Sequence, residues 1–226
     1  AARSLPAADI LTARADARCT GHAVLLRMMK LQPIVRIAAA AALAIALAAC
    51  GARGPSFQST DLTGASFGRD FELTAPDGKP RRLADFHGKA VVMFFGYTQC
   101  PDVCPTTLAA LAEAMKRLGP DADRVQVLFV TIDPERDTPA LLAQYVPAFD
   151  PRFLGLYGDA DATARTAKEF KILYQKAPGA TPGSYTMDHS AGTYVFDPQG
   201  RLRLYVSNGQ GADVFAHDLG ELLRAG

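Results

Sequence analysis

The sequence predicts an α/β domain with a central mixed sheet flanked by helices and a β-hairpin on its N-terminal side. Three observations carry this reading. Strand and helix signals alternate from Phe67 to Leu223. Two apolar runs, Ala90–Phe95 and Val125–Ile132, are continuous and of strand length, the pattern of strands buried on both faces. The chain closes on two alternating segments around Asp197-Pro198-Gln199-Gly200, followed by a helical stretch.

Taken in order, Phe71-Glu72-Leu73-Thr74 alternates and Pro76-Asp77-Gly78 turns, which predicts a short hairpin. Ala90–Phe95 supplies a buried central strand. After Pro105, apolar residues recur at Leu108, Leu111, Met115 and Leu118, one face of a helix that Gly119-Pro120 stops. Val125–Ile132 is the second buried strand. Thr138 is placed to cap a helix with Pro139 at its first position. Phe153–Tyr157 reads as a short strand and Asp161–Tyr174 as a helix. Thr193–Phe196 and Leu202–Val206 form the closing hairpin, and Gly211–Arg224 the last helix. Successive βα units followed by a hairpin and a helix make a thioredoxin-like order.

Composition is that of an ordinary globular protein, with 49% apolar and 21% charged residues among 226. Charge is unevenly placed. Residues 1–50 carry six Lys/Arg against two acids, +4, which leaves −3 for the rest of a chain of net charge +1. A mildly acidic body without a basic run argues against nucleic acid as a partner.

The N-terminal part reads as targeting sequence. Ile37–Ala49 is thirteen uncharged residues preceded by Arg27, Lys30 and Arg36, the pattern of a secretory signal peptide. It falls short of the roughly 20 residues that cross a bilayer. Leu47-Ala48-Ala49-Cys50-Gly51 is similar to the lipobox of bacterial lipoproteins, with Cys50 as the lipidated residue. An uncleaved helical anchor is the competing reading, and either one places the body outside the cytoplasm on a membrane. The first methionines are Met28 and Met29, so 1–27, with Cys19 and His22, reads as upstream sequence that is not translated. Residues 28–49 are then the signal, 50–66 a flexible tether rich in small residues, and 67–226 the domain.

Two further cysteines, Cys100 and Cys104, fall where a buried strand hands over to a helix, within Phe95-Gly96-Tyr97-Thr98-Gln99-Cys100-Pro101-Asp102-Val103-Cys104-Pro105. Active sites of open α/β sheets gather at this edge. Helix N-terminal amides stabilise an anion there, so the thiols are expected to have lowered pKa values. On a regular helix, positions i and i+4 stand roughly 5–6 Å apart at Cβ, too far for an unstrained disulfide. Cys100 must therefore lie in the loop if the pair is to oxidise. A metal held at about 2.3 Å from each sulfur tolerates the wider gap. The spacing favours metal binding, leaves redox chemistry open, and competes with an inert disulfide.

Of the histidines, His87 reads as a loop surface residue and His217 as a solvated helix residue beside Asp218. His189, in Tyr185-Thr186-Met187-Asp188-His189-Ser190, is read as opening a strand after the Pro/Gly-rich loop Ala177–Ser184. In a thioredoxin-like sheet that loop faces the cysteines. Two thiolates and one imidazole make a soft site selecting Cu(I) or Zn(II). Structural zinc takes four protein ligands and no fourth is evident, so the set suits Cu(I). Asp133 or Asp188 is placed to orient the His189 ring.

From Phe57 to Leu223 the chain resembles the Sco/SenC family of copper chaperones. The resemblance rests on Gly96–Pro105, on Thr131-Ile132-Asp133-Pro134-Glu135-Arg136-Asp137-Thr138-Pro139 and on Asp188-His189-Ser190. It implies a thioredoxin-like fold and a copper site of Cys100, Cys104 and His189, with Cys100 and Cys104 also a redox-active pair. It further implies membrane tethering and service to the binuclear copper centre of cytochrome c oxidase subunit II or a similar acceptor. In a bacterium the protein would sit in the cell envelope, facing the periplasm. Within the family, copper delivery and thiol reduction of that centre are both assigned. The thiol–disulfide oxidoreductase alternative uses the same cysteines but has little need of His189. A peroxidase of the peroxiredoxin kind is disfavoured because its P-x-x-x-T-x-x-C pattern is absent at both cysteines.

Overall fold

The computed structural model describes residues 54–225. The signal stretch 28–49, the upstream residues 1–27, Cys19, His22 and Cys50 lie outside the described residues. A six-stranded mixed sheet forms the centre, ordered β1 (Thr60–Asp61), β10 (Leu202–Val206), β9 (Thr193–Phe196), β4 (Ala90–Gly96), β5 (Val125–Thr131), β6 (Leu154–Leu156). β4, β5 and β6 run parallel, while β9 is antiparallel to β4. Parallel neighbours require crossovers. They are supplied by α1 (Val103–Leu118) between β4 and β5, and α2 (Pro139–Tyr145) between β5 and β6. Every residue of β4 is buried, as a strand covered on both faces demands. The thioredoxin-like fold of the sequence reading is the fold observed, including the N-terminal hairpin β2–β3 (Glu72–Thr74 and Pro80–Arg82). That hairpin joins the rest through two backbone bonds between Thr74 and Tyr157.

α2 begins as the sequence requires. The Thr138 hydroxyl accepts from the Leu141 amide at 3.2 Å, and Pro139 opens the helix. The closing helix α4 (Ala212–Ala225) packs against α1. Among the described residues no helix is long and apolar enough to cross a membrane.

The structure departs from the sequence reading in three places. First, the domain begins before Phe67. Thr60 and Asp61 pair with Tyr205 and Leu204, and Phe57 and Leu62 pack on the core. The amides of Gln58 and Ser59 donate to the buried Asp218 carboxylate at 2.8 and 2.9 Å. Two residues of strand are too few for a periodic signal, and the acceptor that seats this segment lies about 160 residues away.

Second, the helix expected over Asp161–Tyr174 is α3, Ala160–Glu169, and it stops early. Lys171 adopts φ +54°, the Ile172 amide donates to Ala167 O at 2.8 Å and the Lys171 amide to Lys168 O at 3.1 Å. This is a Schellman stop with lysine where glycine is usual, so the usual sequence signal is missing. Phe170 drives it. Its fully buried ring packs on Phe95, Tyr194 and Phe196, and its carbonyl accepts from the Tyr194 hydroxyl at 2.6 Å.

Third, the Pro/Gly-rich loop is the tip of a hairpin, β7 (Tyr174–Pro178) with β8 (Tyr185–His189). His189 therefore ends a strand instead of opening one. β7 is mostly exposed and carries Pro178, so it lacks the apolar alternation that marks strands.

Candidate metal centre

β4 ends at Gly96, and the Gly96 carbonyl accepts from the Ile132 amide of the neighbouring crossover. The chain then turns through Tyr97–Asp102 into α1. Cys100 lies in this turn, half-buried, and Cys104 sits in the first turn of α1, fully buried. Both thiols are free. The first amides of a helix have no partner within it. Asp102 precedes α1 without a side-chain capping bond, and the Cys104 amide points at the Cys100 sulfur, 3.4 Å away. The Cys100 sulfur thus takes the place of a capping oxygen.

β8 brings His189 to the same point. Its Nε2 stands 4.0 Å from Cys104 Sγ. Its Nδ1 is 2.9 Å from the Ser190 carbonyl, an acceptor only, so Nδ1 carries the proton and Nε2 presents its lone pair to the sulfur. A metal bonded at about 2.3 Å to sulfur and 2.0 Å to nitrogen spans roughly 3.7 Å at a trigonal angle and about 4.3 Å when linear. The observed separation falls between these limits. Tyr97 closes one side, edge-on to the imidazole with ring centroids 6.1 Å apart. Among the described residues no three His, Cys, Asp or Glu side chains already form a metal cage. Cys104 and His189 stand at a distance one metal ion could bridge, and Cys100 lies beside them against the helix amide.

Burial sets the electrostatics. The lowered thiol pKa expected at a helix N-terminus is reversed at Cys104, where burial pushes it far up, with the neighbouring Cys100 and Asp137 adding to the rise. Magnitudes explain the reversal. A helix terminus contributes about 0.3–1 kcal/mol. Full burial moves a titrating group by as much as about 3–5 pKa units, at 1.36 kcal/mol each. Burial likewise pulls His189 below its ordinary 6.5, with the Ser190 bond and Asp188 opposing, so the ring is neutral at neutral pH.

Neither carboxylate placed by sequence to orient His189 does so by hydrogen bond. Asp188 points outward, exposed, and Asp133 is buried, accepting from Arg136 Nε and, at 2.9 Å, from the Tyr185 hydroxyl. The Ser190 carbonyl, which no side-chain signal announces, does the orienting. His87 is exposed as expected, whereas His217 is half-buried and bonded to Asp218 at 2.9 Å. Asp137 supports the cysteine turn: its carboxylate accepts from the Thr98 amide, and from the Thr98 and Thr131 hydroxyls at 2.6 Å each. It lies in the second motif of the resemblance, but nothing in the sequence distinguishes its task from that of Asp133.

Gly96 is required by close approach. A Cβ there would lie 2.8 Å from Cys104 Sγ and 2.9 Å from the Phe129 ring. Gly96→Ala is expected to lower stability by about 1–3 kcal/mol and to displace the sulfur. Urea unfolding and thiol titration of the variant check this; an unchanged midpoint and unchanged Cys104 reactivity count against it.

Residues 59–224 match the SCO1/SenC family model. The chain belongs to the SCO1/SenC family. It is 39% identical over 173 residues to the mitochondrial SCO2 homologue of Bos taurus, covering 75% of this chain and 65% of that protein. It thus spans somewhat less than two thirds of that relative. Apo Sco1 of Thermus thermophilus superposes with TM-score 0.67 at 45% identity, covering 76% of this chain and all of that one. ScoI of Bradyrhizobium japonicum, solved with copper bound, superposes at 0.64 with 39% identity, covering 70% and 100%. The SCO1/SenC match starts at Ser59, in agreement with the seating of Gln58 and Ser59 on Asp218.

Proposed function

We propose that this SCO1/SenC protein is a copper metallochaperone that binds one copper ion through Cys100, Cys104 and His189 and serves assembly of the copper centre of cytochrome c oxidase, on subunit II or a similar acceptor. The observation that carries the reading is the 4.0 Å approach of His189 Nε2 to Cys104 Sγ with Cys100 adjacent. The copper-bound state of the Bradyrhizobium relative supports the choice of metal. Soft sulfur with one imidazole suits Cu(I), and an incomplete cage suits an ion that is passed on by ligand exchange. Cys100 completes the set by turning its sulfur from the Cys104 amide to the metal. The protein acts in the bacterial envelope on the periplasmic side, anchored through lipidated Cys50 or an N-terminal helix; retention of a Cys50→Ala variant in the membrane fraction would exclude the lipid anchor.

Thiol reduction is the weaker use of the same residues. Cys104 is fully buried, which shields its sulfur from a partner's disulfide, and an oxidoreductase leaves His189 without a task.

The test is anaerobic Cu(I) titration of the reduced domain against a competing chelator. One tightly held equivalent is expected, abolished by Cys100→Ser or Cys104→Ser. For His189→Ala, loss of a ligand predicts weakening at least as large as the about 10–100-fold that loss of a ligand's orienting partner costs. Failure of the wild-type domain to retain copper, with cysteines that exchange disulfides freely, would move the function to thiol reduction.

A further inference from the structure

We propose that Arg136 is the positioning residue that holds the His189 hairpin against the cysteine turn, an inference that rests on the metal-site reading above. The need for such a residue follows from topology. Among the described residues, β7 and β8 pair only with each other, and no strand of the six-stranded sheet is bonded to them. Sheet register therefore does not place His189 opposite Cys104. Side chains must.

The contacts converge on one guanidinium. Arg136 Nη1 donates to the Tyr185 carbonyl of β8 at 2.8 Å and to Gln99 Oε1, next to Cys100, at 3.3 Å. Its Nε donates to the buried Asp133, which also accepts from the Tyr185 hydroxyl at 2.9 Å. The guanidinium carbon lies 3.6 Å from the centroid of the Tyr185 ring and 5.7 Å from that of Tyr97. Tyr97 in turn packs on the His189 ring. Tyr185 and His189 are four residues apart on β8 and share a face of the strand. One planar fork thus joins the cysteine turn, the Asp133 turn and the strand that carries the histidine.

Other ties are poorer. The Lys176–Glu135 pair across the same gap is exposed and weakly stabilising. Met187 is buried, but apolar burial has no direction, and its backbone bond to the Tyr97 side chain is one tie where Arg136 makes several. Among the described residues the Arg136 Nη2 is buried without a partner, and the hydrogen bonds of the guanidinium run through Nε and Nη1. Lysine cannot substitute, because a point charge does not bond a carbonyl, an amide oxygen and a carboxylate in one plane while stacking on a ring.

The test uses Arg136→Lys, which keeps a cation against Asp133 so that folding survives; should it not fold, Arg136→Gln replaces it. In the reduced, metal-free protein, NMR should show loss of the Tyr97–His189 ring proximity. Amide exchange in β7 and β8 should quicken about tenfold or more, while β9 and β10 keep their protection. With copper, Arg136→Lys should weaken binding in the wild-type background and have little further effect in His189→Ala, the non-additivity of residues acting through one group. Unchanged ring proximity and exchange in a folded variant would overturn the proposal. Equal weakening in both backgrounds would also overturn it, because Arg136 would then act on the cysteines or on the fold at large. If the wild-type domain holds no copper the metal reading fails, and the ring proximity still decides the role of Arg136.

Discussion

Cu(I) affinity of the reduced domain will rise at least tenfold per pH unit from roughly pH 7 to pH 9, about a hundredfold or more across the window, because binding displaces at least one proton. The proton is on Cys104. Burial raises this thiol far above its ordinary 9.0, so the metal-free protein carries it protonated throughout that range. The metal binds the thiolate, and each unit of pH makes the competing proton tenfold scarcer. His189 does not blunt the slope, since its pKa lies below 6.5 and the ring is already neutral. The sign is therefore fixed: acid releases copper and base tightens it. Competition titrations corrected for the chelator's own protonation check the prediction. A flat profile would mean that Cys104 is a thiolate before metal arrives and that burial does not control it.

Asp137→Ala will destabilise the domain by about 3 kcal/mol, because it strands the Thr98 amide and two threonine hydroxyls in a buried site. The carboxylate is 1% exposed and bonded to all three donors. Thr98 is two residues from Cys100, so the cysteine turn loosens with it. Asp137→Asn keeps one acceptor oxygen and is expected to lose less. Both variants also differ from wild type in their response to pH. Burial raises the Asp137 pKa above 3.8, outweighing the threonine bonds that lower it, and Asp133 adds to the rise. A raised folded pKa gives a contribution that is full below about 3.8 and is lost as pH rises through the folded value. Wild type should therefore exceed Asp137→Asn by more in acid than at neutral pH. Urea unfolding at both conditions checks this, and a gap that narrows in acid would show that the carboxylate is held by its bonds with no burial penalty.

Much of the fold was legible because its signals are local. Ala90–Phe95 and Val125–Ile132 form the parallel centre, since a strand covered on both faces must be apolar throughout. Thr138-Pro139 starts a helix because a hydroxyl acceptor and a missing amide both suit the first turn. The illegible elements are those whose cause lies far along the chain. α3 stops at a lysine in a left-handed conformation because Phe170 is drawn among Phe95, Tyr194 and Phe196. Thr60–Asp61 becomes a strand because Asp218 captures the two preceding amides.

At the site, residue types and their order pointed to Cys100, Cys104 and His189 as candidates, since softness and spacing are properties of the chain itself. What those residues do to one another was decided in three dimensions. Cys104 and His189 are 85 positions apart, and their 4.0 Å approach depends on how the β7–β8 hairpin is seated. The sequence placed Cys104 at a helix N-terminus and so pointed to an easily ionised thiol. The packed core excludes water from that sulfur, and desolvation exceeds the helix field. The ring of His189 is oriented by a backbone carbonyl, a group every residue carries and no sequence pattern can mark.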